Sequence, residues 1–385
     1  MKPEDRLEAP LPAPAGVGTS GVTLFVCGDL MIGRGIDQIL PHPGDARLYE
    51  PCMTSARGYV DLAERISGPV PAPVAFDYIW GDALDEIGRM QPDLRIANLE
   101  TAVTARGRPW PGKGIHYRVH PENLRTLAAA SIDACSLANN HVLDWGPTGL
   151  RDTLESLARA GIRAVGAGAS AGEAAAPAVL DLPGGRRLLL VAYCTESAGV
   201  PPEWAATASR GGVNLLPDLS PRTVDRESRR LAAIRHRGDL VVASIHWGGN
   251  WGYAIPAAHR AFARGLVDAG VDLIHGHSSH HPLPIEIYRD RVILYGCGDL
   301  VNDYEGIGGY EAFRPELSLL YFLSLDASGS LRSLRMSPMR MRRLRLERAG
   351  EDDVHWLARQ LDAAGAHLGT RIERGKDALW VGCRE

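Results

Sequence analysis

Side chains that bind divalent metals recur in this chain just past short apolar runs. Gly28-Asp29 follows VTLFVC (22–27), Asn98-Leu99-Glu100 follows DLRIA (93–97), and Asn139-Asn140-His141 follows IDACSLA (132–138). His246-Trp247-Gly248-Gly249 follows LVVASI (240–245). The cluster His275-Gly276-His277-Ser278-Ser279-His280-His281 follows VDLI (271–274), and Gly298-Asp299 follows VILYGC (292–297). Carboxylate, amide oxygen and imidazole together are a ligand set for Mn, Fe or Zn. Two such ions, a few ångströms apart, polarise a phosphoryl oxygen and acidify a water between them. Asp29 and Glu100 are the carboxylate candidates, Asn140 the amide oxygen, and His246, His277 and His280 the imidazoles. His141, beside Asn140, is left to act on the leaving group or on transition-state charge. Asn98, Asn139, Trp247 and Asp299 flank these donors and are expected to touch substrate. Taken singly each signal is weak, since a Gly-Asp after a strand is more often a turn and a lone His more often a hydrogen-bonded core residue. The repetition of a strand followed by a donor is what points to one shared centre.

Those runs are four to seven residues long, too short for core helices and suited to buried strands. Helical patterns fall between them at 81–91, 121–130, 147–160, 222–236, 256–268 and 351–366. The segment 147–160 opens on Pro147 and stops before Gly161, the usual placement of these residues at helix ends. This alternation predicts a layered α/β fold with much parallel strand, which gathers its ligands where strands end. Further strands are expected at 285–288, 291–297, 316–325 and 331–346, and a short one at 379–381. The Pro- and Gly-rich stretches 41–75 and 198–221 read as long insertions that wall or cover a site. Residues 1–20 read as a disordered tail, 21–346 as the main domain, and 347–385 as a helix and short strand packed on it.

A net charge of −4, from 42 basic and 46 acidic residues, argues against nucleic acid as a partner. The local exception is 332–348, where seven arginines mostly alternate with apolar residues. It reads as a strand with a charged outer face, or as a surface for an acidic polymer. The six cysteines form no C-x-x-C pair, and four lie in or beside apolar runs, as in a reducing compartment. The N-terminus has no apolar signal core, and no window approaches 18 uncharged apolar residues. A cytoplasmic location without membrane insertion is therefore expected.

The ordered motifs resemble a known family. Gly-Asp, then Asn-Leu-Glu, then Ser-Leu-Ala-Asn-Asn-His (136–141), His-Trp-Gly (246–248) and Gly-His-x-x-His (276–280) are similar to those of the poly-γ-glutamate capsule biosynthesis proteins, the CapA family. That family is a branch of the calcineurin-like metallophosphoesterases. Asp144-x-Gly146, Gly166-Ala167-Gly168 and Tyr295-Gly296-Cys297-Gly298-Asp299 extend the match across about residues 22–305. The resemblance implies a four-layer α/β/β/α sandwich with divalent ions, two in number, at the strand ends. It implies metal-ligand roles for Asp29, Glu100, Asn140, His246 and His277, and a catalytic role for His141. His280 matches the last histidine of the closing motif. Two departures stand out. The wider pattern begins Asp-x-His, whereas Asp29-Leu30-Met31 offers a thioether, a poor ligand for Mn²⁺ or Mg²⁺. The closing Gly-His-x-His becomes Gly276-His277-Ser278-Ser279, with His280 one step late. One metal position is expected to be weaker, differently ligated or empty. Three functions stay open. The first is a metal-dependent hydrolase of a phosphoester or related bond, associated with capsule-type polymer metabolism. The second is a non-hydrolytic component of polymer synthesis. The third is a tailoring metalloenzyme of a small-molecule pathway. The partner is accordingly a small molecule or an anionic polymer.

Overall fold

Apolar runs of this length, bounded by turn residues, form the strands of two sheets laid face to face. The computed structural model describes residues 21–383; the expected tail at 1–20 lies outside them. The first sheet has ten strands. Its parallel half runs Val22–Leu30, Leu94–Leu99, Ala134–Ser136, Arg163–Val165. Its antiparallel half continues from the other side of Val22–Leu30 through Leu317–Leu325 and Leu331–Arg342 to Leu379–Cys383 and Thr370–Arg374. The second sheet has six strands in the order Ile285–Tyr288, Arg291–Leu294, Leu273–His277, Leu240–His246, Arg186–Cys194, Ala178–Leu182. Its middle four strands are parallel.

Side-chain alternation decides what each face meets. In Leu240–His246, Leu240 and Val242 turn inward to a core shared with Leu24, Val26 and Ile96 of the first sheet. Val241, Ala243 and Ile245 turn outward to Phe262, Ala263 and Leu266 of the helix Ala257–Asp268. Helices Gly146–Arg159 and Ala83–Met90 pack beside the first sheet, their buried residues facing inward. The result is a four-layer α/β/β/α sandwich. Two close approaches require glycine. A Cβ on Gly28 would lie 1.8 Å from the carbonyl oxygen of Gly298, and one on Gly276 would lie 2.4 Å from that of Tyr295.

The arginine-rich stretch forms the hairpin Leu331–Arg342 and Arg345–Arg348. All seven guanidinium groups are ion-paired. Arg332 meets Asp326, Arg335 and Arg348 meet Glu86, and Arg340 meets Asp353. Arg342 and Arg343 meet Glu347, and Arg345 meets Asp82. The expectation of a strand with a charged outer face holds. Glu86 is the centre of this network, with its side chain 2% exposed between Arg335, Arg348 and Arg89. Against the upward push of burial, Arg348 and Arg335 hold its carboxyl below the usual range. Glu86→Ala leaves Arg335 buried without its partner. It should cost about 3 kcal/mol, read as a lower urea midpoint with an unchanged slope. Because the folded carboxyl titrates low, this stabilisation is complete above the ordinary carboxylate range. It disappears as pH falls through the lowered value.

The insertion 41–75 carries a helix, Arg57–Ser67, that the composition hides. Tyr59 of this helix and Glu50 before it both meet the buried Arg34, which also makes a two-point bond with Asp303. The insertion is thereby anchored as a wall of the site. Among the described residues no helix is long and apolar enough to cross a membrane. The five cysteines whose side chains are described are free thiols, and Cys27, Cys135, Cys194 and Cys297 are buried.

Candidate metal centre

The parallel strands of both sheets end at one edge, which brings the donors together. Asp29 lies in register with Asn98 on one side and Asp299 on the other. Glu100 follows the strand that carries Asn98, and Asn140 follows Ala134–Ser136. Across the gap between sheets, His246 and His277 are register partners at their strand ends. Ligand atoms of Asp29, His246 and His277 lie within 4.8 Å of one another, all buried. His277 Nδ1 is 3.8 Å from Asp29 Oδ1. The second nitrogen of His246, Nε2, is 3.1 Å from Asn140 Oδ1 and 3.9 Å from Glu100 Oε1. Four of the expected ligands therefore surround the imidazole of a fifth, His246.

Hydrogen-bond logic fixes the ring orientations. His275 Nε2 lies 2.8 Å from the Cys27 carbonyl, so it must donate. Its Nδ1 then accepts from the Ser244 hydroxyl at 3.1 Å. The Ser244 oxygen, its hydrogen committed, accepts from His277 Nε2 at 2.8 Å. His277 Nδ1 is left bare, 2.9 Å from His246 Nδ1. A neutral His246 has one hydrogen for two bare acceptors, His277 Nδ1 and Asn140 Oδ1. Whichever nitrogen carries it, one pair of lone pairs faces across about 3 Å. Protonating His246 is disfavoured, because burial, with His141, His280 and Lys113 nearby, pushes its pKa well down.

The carboxylates describe the same deficit. Burial, then Asp299, pushes Asp29 up to about 7, and burial, then Asp29, pushes Glu100 well up. A divalent cation fits this donor set: it takes the bare lone pairs and neutralises the paired carboxylates. Ser244 and His275 orient His277 toward that cation, as outer partners of ligating histidines do. Ser244→Ala should weaken manganese binding by about 10–100-fold, measured by titration calorimetry, without unfolding the chain.

His141 stands beside the cluster. Its Nδ1 is 2.6 Å from Asp144 Oδ2 and its Nε2 is 3.7 Å from Glu100 Oε1. Lys113 completes the group, contacting the Asn140 carbonyl, His141 Nδ1 at 3.1 Å and Asp144. Burial, then Lys113, pushes the His141 imidazole down to about 4. Asp29 also accepts the backbone N–H of Ser278 at 3.1 Å. Ser278 sits at φ +101°, a conformation costly for a non-glycine residue and of the kind found at functional sites.

Four expected substrate contacts and one expected ligand are placed differently. Asn98 donates to Asp29 and Glu100 and accepts from Asn139. Asn139 also donates to the Leu99 carbonyl, and its oxygen accepts from the N–H groups of His141 and Val142. Both asparagines are fully buried braces of the ligand loops. Trp247, next in sequence to His246, points to the opposite face. There it stacks on His259 and donates to the Tyr295 carbonyl. Asp299 accepts from Asn302 and pairs with His280 Nδ1 at 2.9 Å. His280 Nε2 faces Asn250. Both His280 nitrogens thus have partners outside the ligand cluster, and His280 lines the cavity rather than joining Asp29, His246 and His277. Met31, where the wider motif has histidine, is fully buried.

The cavity above the cluster encloses about 620 Å³. Glu100, Asn140, His141 and His280 form its floor, and Arg34, Lys113, Tyr59 and Tyr117 part of its wall. The sequence reading assigned no role to Arg34, Lys113, Tyr117, Ser244 or His275. One signal for Lys113 was present: it is one of three lysines in a chain otherwise supplied with arginine.

Fold and strand-end cluster together define a layered α/β protein with a candidate metal centre where the strands of its two sheets end. The chain belongs to the bacterial capsule synthesis protein PGA_cap family, whose model matches residues 23–304. It is 48% identical over 360 residues to a probable polyglutamine synthesis accessory protein of Mycobacterium tuberculosis, covering 93% of this chain and 95% of that one. It is 26% identical over 303 residues to the PGA biosynthesis protein CapA of Bacillus subtilis, covering 78% and 68%. Among solved structures it is similar to the 5'-nucleotidase precursor of Thermus thermophilus. That match has a TM-score of 0.46 and 15% identity, over 89% of this chain and 59% of that chain.

Proposed function

We propose that this protein is a metal-dependent hydrolase of a phosphoester or related bond, associated with capsule-type polymer metabolism. Asp29, Glu100, Asn140, His246 and His277 would hold the divalent ions, two of manganese, iron or zinc. Bound ions would supply Lewis-acid polarisation of the scissile group and activation of a water. His141 would take up or return a proton at Nε2, on the cavity side, while Asp144 accepts from Nδ1 and would steady the imidazolium when it forms. Lys113 and Arg34, each ion-paired, line the pocket together with Glu100. The observation that carries this reading is the convergence of four strand-end donors around His246, one hydrogen short of satisfaction. The buried free thiols support a reducing, cytoplasmic setting.

The deciding experiment is elemental analysis of the native protein with a turnover screen over phosphoesters and γ-glutamyl amides. Retained metal with turnover of at least one class is expected. Protein that holds no metal at any concentration tested would overturn the reading. The names of the relatives, one an accessory protein of polymer synthesis, favour a second reading as a non-hydrolytic component. Retained metal without turnover of any class would select it.

A further inference from the structure

We infer that the cavity receives a small amphiphile. Its single phosphate- or carboxylate-like head lies at the strand-end donors, and its flat, uncharged body lies against Trp251 and Tyr310. This rests on the hydrolytic reading and adds its substrate class. Above its polar floor the cavity changes character. The Trp251 and Tyr310 rings stack with centroids 4.1 Å apart and planes 9° from parallel. Tyr310 and Ile115, both in the lining, are each 40% exposed, and Ile307 and Pro315 continue the same wall. A half-exposed aromatic stack beside a reactive floor suits a ligand that offers a flat apolar surface of its own.

The charges in the lining exclude the alternative of an acidic chain. Arg34 is ion-paired with Asp303 and Glu50 and lies between the rings of Tyr59 and Tyr117, 3.9 and 4.2 Å from their centroids. Lys113 is paired with Asp144 and His280 with Asp299. Past its first head group, a polymer with a carboxylate on every unit would meet aromatic carbon and committed cations. Each further charge would lose water without gaining a partner. The ion-paired hairpin 332–348 offers no substitute track.

The test is equilibrium binding to the manganese-loaded full-length protein, with two phosphonates and one polymer as probes. They are 1-naphthylmethylphosphonate, ethylphosphonate and a γ-linked glutamate decamer. The naphthyl probe should bind about tenfold more tightly than the ethyl probe. Tyr310→Ala and Trp251→Leu should each remove most of that preference, lowering ethyl affinity less than twofold. The decamer should compete no better than the ethyl probe. Equal affinities for the two phosphonates, no binding of either, a preference that survives both variants, or tighter binding of the decamer would each overturn the inference. Turnover separates it from the hydrolytic reading. Protein that shows the preference and hydrolyses nothing keeps the ligand class and loses hydrolysis. Protein that cleaves the decamer, indifferent to Tyr310, keeps hydrolysis and loses the ligand class.

Discussion

His141→Ala is expected to lower turnover by about 10²–10⁴-fold while metal content stays near that of the unchanged protein. The separation follows from geometry. The expected ligands sit on five other residues, and the Asn140 side chain is oriented by its contact with His246, not by the neighbouring ring. Removing the imidazole leaves Asp144 with the Lys113 ammonium and the N–H of Tyr117, so the buried carboxylate keeps its partners. What disappears is the Nε2 proton carrier above Glu100. Parallel kinetics and elemental analysis on one preparation check both halves. If His141→Ala loses metal in proportion to activity, the residue is a ligand and its assignment as the proton carrier is wrong.

Glu100→Gln should do the opposite to the metal. Glu100 is buried beside Asp29; burial raises both carboxyls, Asp299 pushes Asp29 up further and Asp29 pushes Glu100 up further. The amide keeps an oxygen for Asn98 and cannot ionise. Metal affinity should fall at least about 100-fold, since an anionic ligand is lost. The metal-free chain should become more stable by about 1–3 kcal/mol, because the cost of burying a carboxyl that ionises in the unfolded chain is gone. A site that is costly when empty and gains stability when its function is removed marks selection for binding rather than folding. Calorimetric melting in excess chelator, beside a manganese titration, gives both numbers. A metal-free Glu100→Gln chain that melts lower than the unchanged one would contradict the reading.

Much of this arrangement was legible in the residues because strand ends are chemically marked. Runs such as LVVASI are apolar, β-branched and short, and the residue that ends each is polar. The helix Gly146–Arg159 was equally plain, with Pro147 inside its first turn and Gly161 past its end. The strand Arg186–Cys194 escaped notice although it is central to the second sheet. It ends in Cys194, without the carboxylate, amide or imidazole that marks the other strand ends. The edge strand Thr370–Arg374 is short and polar, and its pairing with Leu379–Cys383 makes it a strand. The helix Arg57–Ser67 buries little beyond Tyr59 and Ala63, too weak a stripe to stand out in a Pro- and Gly-rich insertion.

The site residues divide along the same line. Asp29, Glu100, Asn140, His246 and His277 were readable because their types and strand-end positions carry the chemistry. Trp247 was misread because proximity in sequence is not proximity in space; one residue past His246 the chain faces the other side of the sheet. His280 stands apart from the cluster because Ser278, at φ +101°, turns the loop and sets its Nδ1 against Asp299. Lys113 and Arg34 lie in irregular segments without periodicity. Only the fold brings them to the cavity.

The most direct test is an anomalous difference map from crystals grown with manganese. A peak is expected at about 2.2 Å from Asp29 Oδ1, His246 and His277 Nδ1, with Glu100 and Asn140 in the same cluster. Crystals saturated with manganese that show no peak there, or show one only elsewhere on the molecule, would contradict a metal centre at these strand ends.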